Sequence, residues 1–129
     1  MWKDVFPPRQ RIYSNASESA LDQLADLQTL VNRLERKVKE IEWQVTVHSA
    51  TPTVPRADLV ESKDSIAQMV GSLDKIQFNG IDGVITAQLK TGKESVRDQR
   101  KALNKHCEGL RATMMTLHQQ LTAHVAAFT

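Results

Sequence analysis

From Leu24 to His48, apolar side chains return at alternating intervals of three and four residues. Written as heptads, Leu24, Val31, Val38 and Val45 take the a positions, and Leu27, Leu34, Ile41 and His48 take the d positions. Only the last is not aliphatic. On a helix this spacing draws one narrow stripe, which is stable only when another helix covers it. Val at a with Leu or Ile at d is a combination favoured in two-stranded seams. A helix over about 17–48 is therefore predicted, roughly 48 Å long at 1.5 Å per residue. Asn15 and Glu18, three residues apart, have the form of a capping box at its start. Trp43 falls outside the stripe; it either widens the buried face or offers a contact hot spot.

Two further helices follow from the same kind of pattern. Residues 49–55 hold two prolines and three Ser/Thr residues and read as a loop. A second helix, about 56–77, opens behind Pro55 with Asp58 in its first turn, where a carboxylate suits the helix dipole. Leu59, Ile66, Met69, Leu73 and Ile76 lie at helical spacing along it, with Val60 and Val70 beside them. Asn79-Gly80 and Asp82-Gly83 are turn dipeptides and predict a tight reversal. A third helix is expected over about 84–128. Leu89, Val96, Leu103, Leu110 and Leu117 recur every seven residues, and four places after each come Lys93, Arg100, Cys107, Met114 and Leu121. The companion row is charged in its first half and apolar in its second, so the first half can bury only one row. Gly92 beside Thr91 marks a bend or break. Three long helices with short connections predict an all-α, up-down-up antiparallel three-helix bundle with coiled-coil-like long helices. The third exceeds the second, so its end should overhang and meet helix one or another chain.

The bundle is expected to occupy residues 15–129, behind an extended arm of residues 1–14. Pro7-Pro8 bars a helix through the arm, and Trp2, Phe6 and Tyr13 give it half of the chain's six aromatics. It is either a frayed end or a tail that docks its aromatics on a partner or on the bundle. The arm has no apolar h-region, so no secretory signal is expected; Arg9 and Arg11 leave a mitochondrial presequence as the other reading. Cys107 is the lone cysteine, which fits a reducing compartment and excludes a disulfide framework. The expectation is a cytoplasmic protein. A net charge of +2 is too small to imply nucleic acid by bulk electrostatics, and no apolar run reaches membrane-spanning length.

Catalytic and metal-binding patterns are missing. His48, His106, His118 and His124 form no i, i+4 pair and no Cys-His spacing. His106 and Cys107 are adjacent, so they do not face each other on a helix. Gly92-Lys93-Glu94-Ser95 ends like a phosphate loop, but Ala87 stands where the earlier glycine belongs and Glu94 where the hydroxyl belongs. Neither an enzyme, a cofactor nor a small-molecule substrate is expected.

One charged patch stands out. Lys90, Lys93, Arg97, Arg100, Lys101 and Lys105 face only Glu94 and Asp98 as local opposition. Residues 93, 97, 100, 101 and 105 form one stripe at three- and four-residue intervals. Such a stripe is either a solvated face or a seat for an acidic protein partner. No aromatic interleaves it to stack on bases, which argues against nucleic acid.

At this stripe the chain resembles the BAG family of heat-shock chaperone cofactors. Asp64 and Asp74 have that family's ten-residue spacing of acids on helix two. Arg100-Lys101-Ala102-Leu103 is similar to its Arg-Lys-x-Leu, and Glu108 occupies its glutamine place. The sequence departs from the family in the shorter Asp64, in the acid at Glu108, and in about three extra helical turns between Asp74 and the Arg-Lys pair. The resemblance implies a three-helix bundle that binds the nucleotide-binding domain of seventy-kilodalton chaperones and promotes nucleotide exchange. Arg100 and Lys101 would meet carboxylates there, and Asp64 and Asp74 would meet cations.

The residues themselves favour a non-catalytic interaction module, a subunit or adaptor of a larger assembly, with the co-chaperone as the alternative. Its candidate partner-binding residues are Asp64, Asp74, Arg97, Arg100, Lys101, Lys105, Glu108, Trp2, Phe6 and Tyr13.

Overall fold

A computed structural model describes residues 15–84 and 92–128. It is an all-α, up-down-up bundle of three helices: α1 (Asn15–Ala50), α2 (Arg56–Lys75), which runs on into a π-helical turn (Ile76–Ile81), and α3 (Lys93–Ala126).

The a row of α1 is the floor of the core. Leu24, Val31, Val38 and Val45 are buried, while Leu27, Leu34 and Ile41 of the d row are half-buried against the same core. The stripe is therefore covered asymmetrically, with its centre at the a row. α2 contributes Leu59, Ile66, Met69 and Leu73, and α3 contributes Val96, Leu103, Cys107, Leu110, Met114, Leu117 and Leu121. Each fully buried aliphatic side chain of this kind contributes about 1.5–3 kcal/mol relative to exposure. The division within α3 follows the expected rows. Val96 and Leu103 are buried alone in its first half, with Lys93 and Arg100 half-buried beside them, and both rows go inside from Cys107 onward.

Cross-helix contacts give the direction of each helix. Gln28 and Glu35 of α1 reach His106, and Ser49 reaches His124, so α1 and α3 run parallel. Gln44 meets Ser62, and Asp74 meets Arg111, so α2 runs against both. The expected overhang of α3 closes on α1. His48 meets His124 edge-on, with ring centroids 4.8 Å apart, and stacks on Phe128 at 6.0 Å. The d-position histidine is thus a packing residue, 4% exposed. Its Nδ1 accepts the Val54 N–H at 3.2 Å, satisfying a donor of the α1–α2 loop.

Three boundaries differ from the sequence expectation. The second helix does not stop near Gln77. It widens into the π-turn, where the Asp82 N–H reaches the Gln77 carbonyl five residues back at 3.1 Å. The wider turn carries Asn79-Gly80 inside a helical coil, so only Asp82-Gly83 forms a turn. A Cβ at Gly80 would lie 2.7 Å from Cδ2 of Leu27, so the glycine lets the π-turn approach α1. Finally, Val84 is not helical and α3 is described from Lys93, while residues 85–91 of the expected third helix lie outside the described residues. Gly92, at φ 77°, holds a left-handed conformation and caps the start of α3. The Gly92 carbonyl then accepts the Val96 N–H at 3.1 Å.

Candidate interaction surface

The basic stripe lies along the first half of α3. Arg97, Lys101 and Lys105 are exposed, and Lys93 and Arg100 are half-buried. Arg97, Arg100, Lys101, Asn104, Lys105 and Glu108 line one open concavity of about 520 Å³. Four cations against one carboxylate give it a clear sign. At its wall the side-chain oxygen of Asn104 is buried with no hydrogen-bond partner. A larger furrow of about 560 Å³ runs between α1 and α3, but Glu42 is the one charged side chain among its described lining residues.

The cations are not equivalent. Arg100 turns back toward the end of the π-turn, where it donates to the Val84 carbonyl at 3.4 Å and lies 3.9 Å from a carboxylate oxygen of Asp82. It ties the start of α3 to the segment that leaves α2. Lys101, next in sequence, points to solvent. The two halves of the Arg-Lys pair therefore have different roles within the fold.

Asp64 and Asp74 do not join this concavity. Asp64 is exposed on α2, and Asp74, ten residues on, is ion-paired to Arg111. The guanidinium of Arg111 also lies 6.0 Å from the ring centroid of Phe78, a cation–π distance. Arg111, Phe78 and Met115 were not candidates from sequence. Phe78, in the π-turn, is 62% exposed and Met115, on α3, is 51% exposed. Trp43 is 69% exposed on α1, so it does not widen the buried face. Trp2, Phe6, Tyr13 and Lys90 lie outside the described residues.

The remaining reactive groups are held in the packing. His106 donates through Nε2 to Glu35 at 3.2 Å when Nδ1 accepts from Gln28 at 3.1 Å, so one neutral tautomer satisfies both bonds. Burial pushes the Cys107 thiol above its ordinary range; nearby Arg111 opposes the shift and Glu108 adds to it. No group of three or more His, Cys, Asp or Glu residues among the described ones is arranged to hold a metal ion. No helix among them is long and apolar enough to cross a membrane.

No protein-family model, curated protein or solved structure matches the chain.

Proposed function

We propose that the chain is a non-catalytic helical interaction module, a subunit or adaptor of a larger assembly, whose basic α3 face takes an acidic protein surface. The observation that carries this reading is the concavity at Arg97, Arg100, Lys101 and Lys105, where like charges are gathered on a rigid helix. Exposed cations of this kind steer an acidic partner and fix its register. Reversing the three exposed charges together (R97E, K101E, K105E) tests it. The triple variant should keep its helicity and lose the acidic partner captured by the wild-type chain from its native source. Recovery of the same partners by both proteins would reject the reading.

A BAG-like chaperone cofactor is the second reading. It is supported by the three-helix architecture and by the exposure of Lys101 and Glu108 at the resembling positions. Two of its expected contacts are engaged within the chain: Arg100 with Val84 and Asp82, and Asp74 with Arg111. Both would have to open to reach a chaperone. Nucleotide release from a seventy-kilodalton chaperone tests it. Acceleration by the wild-type chain, lost in Lys101→Glu, would support it; release at the basal rate, beside a working exchange factor, would reject it.

A further inference from the structure

The α3 face that carries the basic concavity continues toward the end of the helix. One turn beyond Glu108 on α3 comes Arg111, and one turn beyond that comes Met115, so the exposed thioether lies along the same helix as the cations. Across the α2–α3 interface the guanidinium of Arg111 meets Phe78 and the carboxylate of Asp74. Asp74 and Phe78 are themselves four residues apart. Arg111 thus lies over the exposed Phe78 and stands one turn before the exposed Met115 on α3.

Resting on the proposed acidic partner, we infer that this face seats one helix of another protein, acidic in its N-terminal half and apolar in its C-terminal half. Its carboxylates lie over Arg97, Lys101 and Lys105, and its apolar anchor lies between Phe78 and Met115. The length follows from α3: Arg97 to Met115 is about 27 Å along the axis, or roughly 18 residues of a partner helix. The direction follows from electrostatics. Glutamates stabilise the N-terminal turns of the helix that carries them, so the acidic half comes first and the partner runs parallel to α3. A uniformly acidic surface would satisfy the cations and leave Phe78 and Met115 in water. The paired basic and apolar zones together call for a helix with an acidic half and an apolar half.

Fluorescence anisotropy with a synthetic peptide of about five turns, glutamates first and leucine and phenylalanine last, tests the assignment with the full chain. Wild type should bind it in the micromolar range, and the same peptide with lysines for glutamates should not bind. The double variant Phe78→Gln/Met115→Gln, checked for an unchanged thermal midpoint, should bind about tenfold more weakly, as loss of interface anchors does. Phe78→Leu, which keeps an apolar anchor, should bind like wild type. The order-reversed peptide should bind less tightly than the original. Equal binding by wild type and the glutamine variant overturns the inference. If the R97E/K101E/K105E variant still loses the peptide in that case, the acidic-partner reading survives without it. Failure of the wild type to bind the peptide overturns the seat. Tighter binding of the reversed peptide overturns the direction.

Discussion

Removing the Arg100 side chain separates a fold-stabilising cation from a partner-facing one. Arg100→Ala deletes a hydrogen bond to the Val84 carbonyl and an ion pair with Asp82. The bond is long at 3.4 Å and falls at the weaker end of the usual net contribution of about 0.5–1.5 kcal/mol. The ion pair spans 3.9 Å between side chains 31% and 47% exposed, and so contributes at most about 1 kcal/mol after solvent screening. The aliphatic stem adds a little packing on the half-buried row. Together these predict a loss of about 1–2 kcal/mol, or roughly 3–8 °C in the thermal midpoint for a domain of this size. Lys101→Ala, one residue on and exposed, should stay within about 0.5 kcal/mol of wild type. Urea melts of both variants, with Asp82→Ala completing a double-mutant cycle, measure the contrast. Coincident melts for Arg100→Ala and Lys101→Ala would refute the claim that Arg100 holds the turn. The contrast also governs binding experiments: a defect in Arg100→Ala mixes stability with recognition, whereas one in Lys101→Ala does not.

Three other outcomes follow from the packing. Leu73→Ala removes a side chain with no exposure from the last turn of α2 and should cost about 2–5 kcal/mol in a denaturant melt; a loss below about 1 kcal/mol would mean that α2 is loosely seated. Gly92→Ala places a Cβ at φ 77° and should destabilise by about 1–2 kcal/mol, an effect read by the same melt and absent if α3 can start elsewhere. Cys107 should resist thiol reagents in the native state and react on unfolding. Because its thiol ionises at higher pH when folded than when unfolded, its contribution to stability is intact at neutral pH and falls as pH rises past about 9; a Cys107→Ala variant should show less of that alkaline decline.

The heptads of α1 were legible because a long helix repeats its message: four a positions all went inside, and one misplaced residue would not have hidden them. Pro52 and Pro55 marked the first loop because proline removes a donor wherever it stands. The π-turn was not legible. Asn79-Gly80 has the chemistry of a tight turn, and only the approach of Leu27 gives Gly80 its purpose inside a coil. Gly92 was legible as a break in the third pattern, but a spacing does not reveal the left-handed backbone that caps α3 there. At the candidate surface the basic stripe was visible in the three- and four-residue spacing. The inward turn of Arg100 was not, since its partners Val84 and Asp82 lie just beyond the π-turn rather than on α3. Phe78 and Met115 escaped for a related reason. Phe78 stands beside a turn signal and Met115 beside the core residue Met114, and it is the packed fold that leaves both exposed.

Photo-crosslinking in the native source tests the central claim most directly, with a photoactivatable residue placed at Lys101 on the basic face or at Glu40 on the exposed side of α1. The expected result is a discrete product from position 101, joined to an acidic segment of another protein and lost when Arg97 and Lys105 are changed to glutamate. A product from position 40 alone, or one from position 101 that persists after charge reversal, would contradict it.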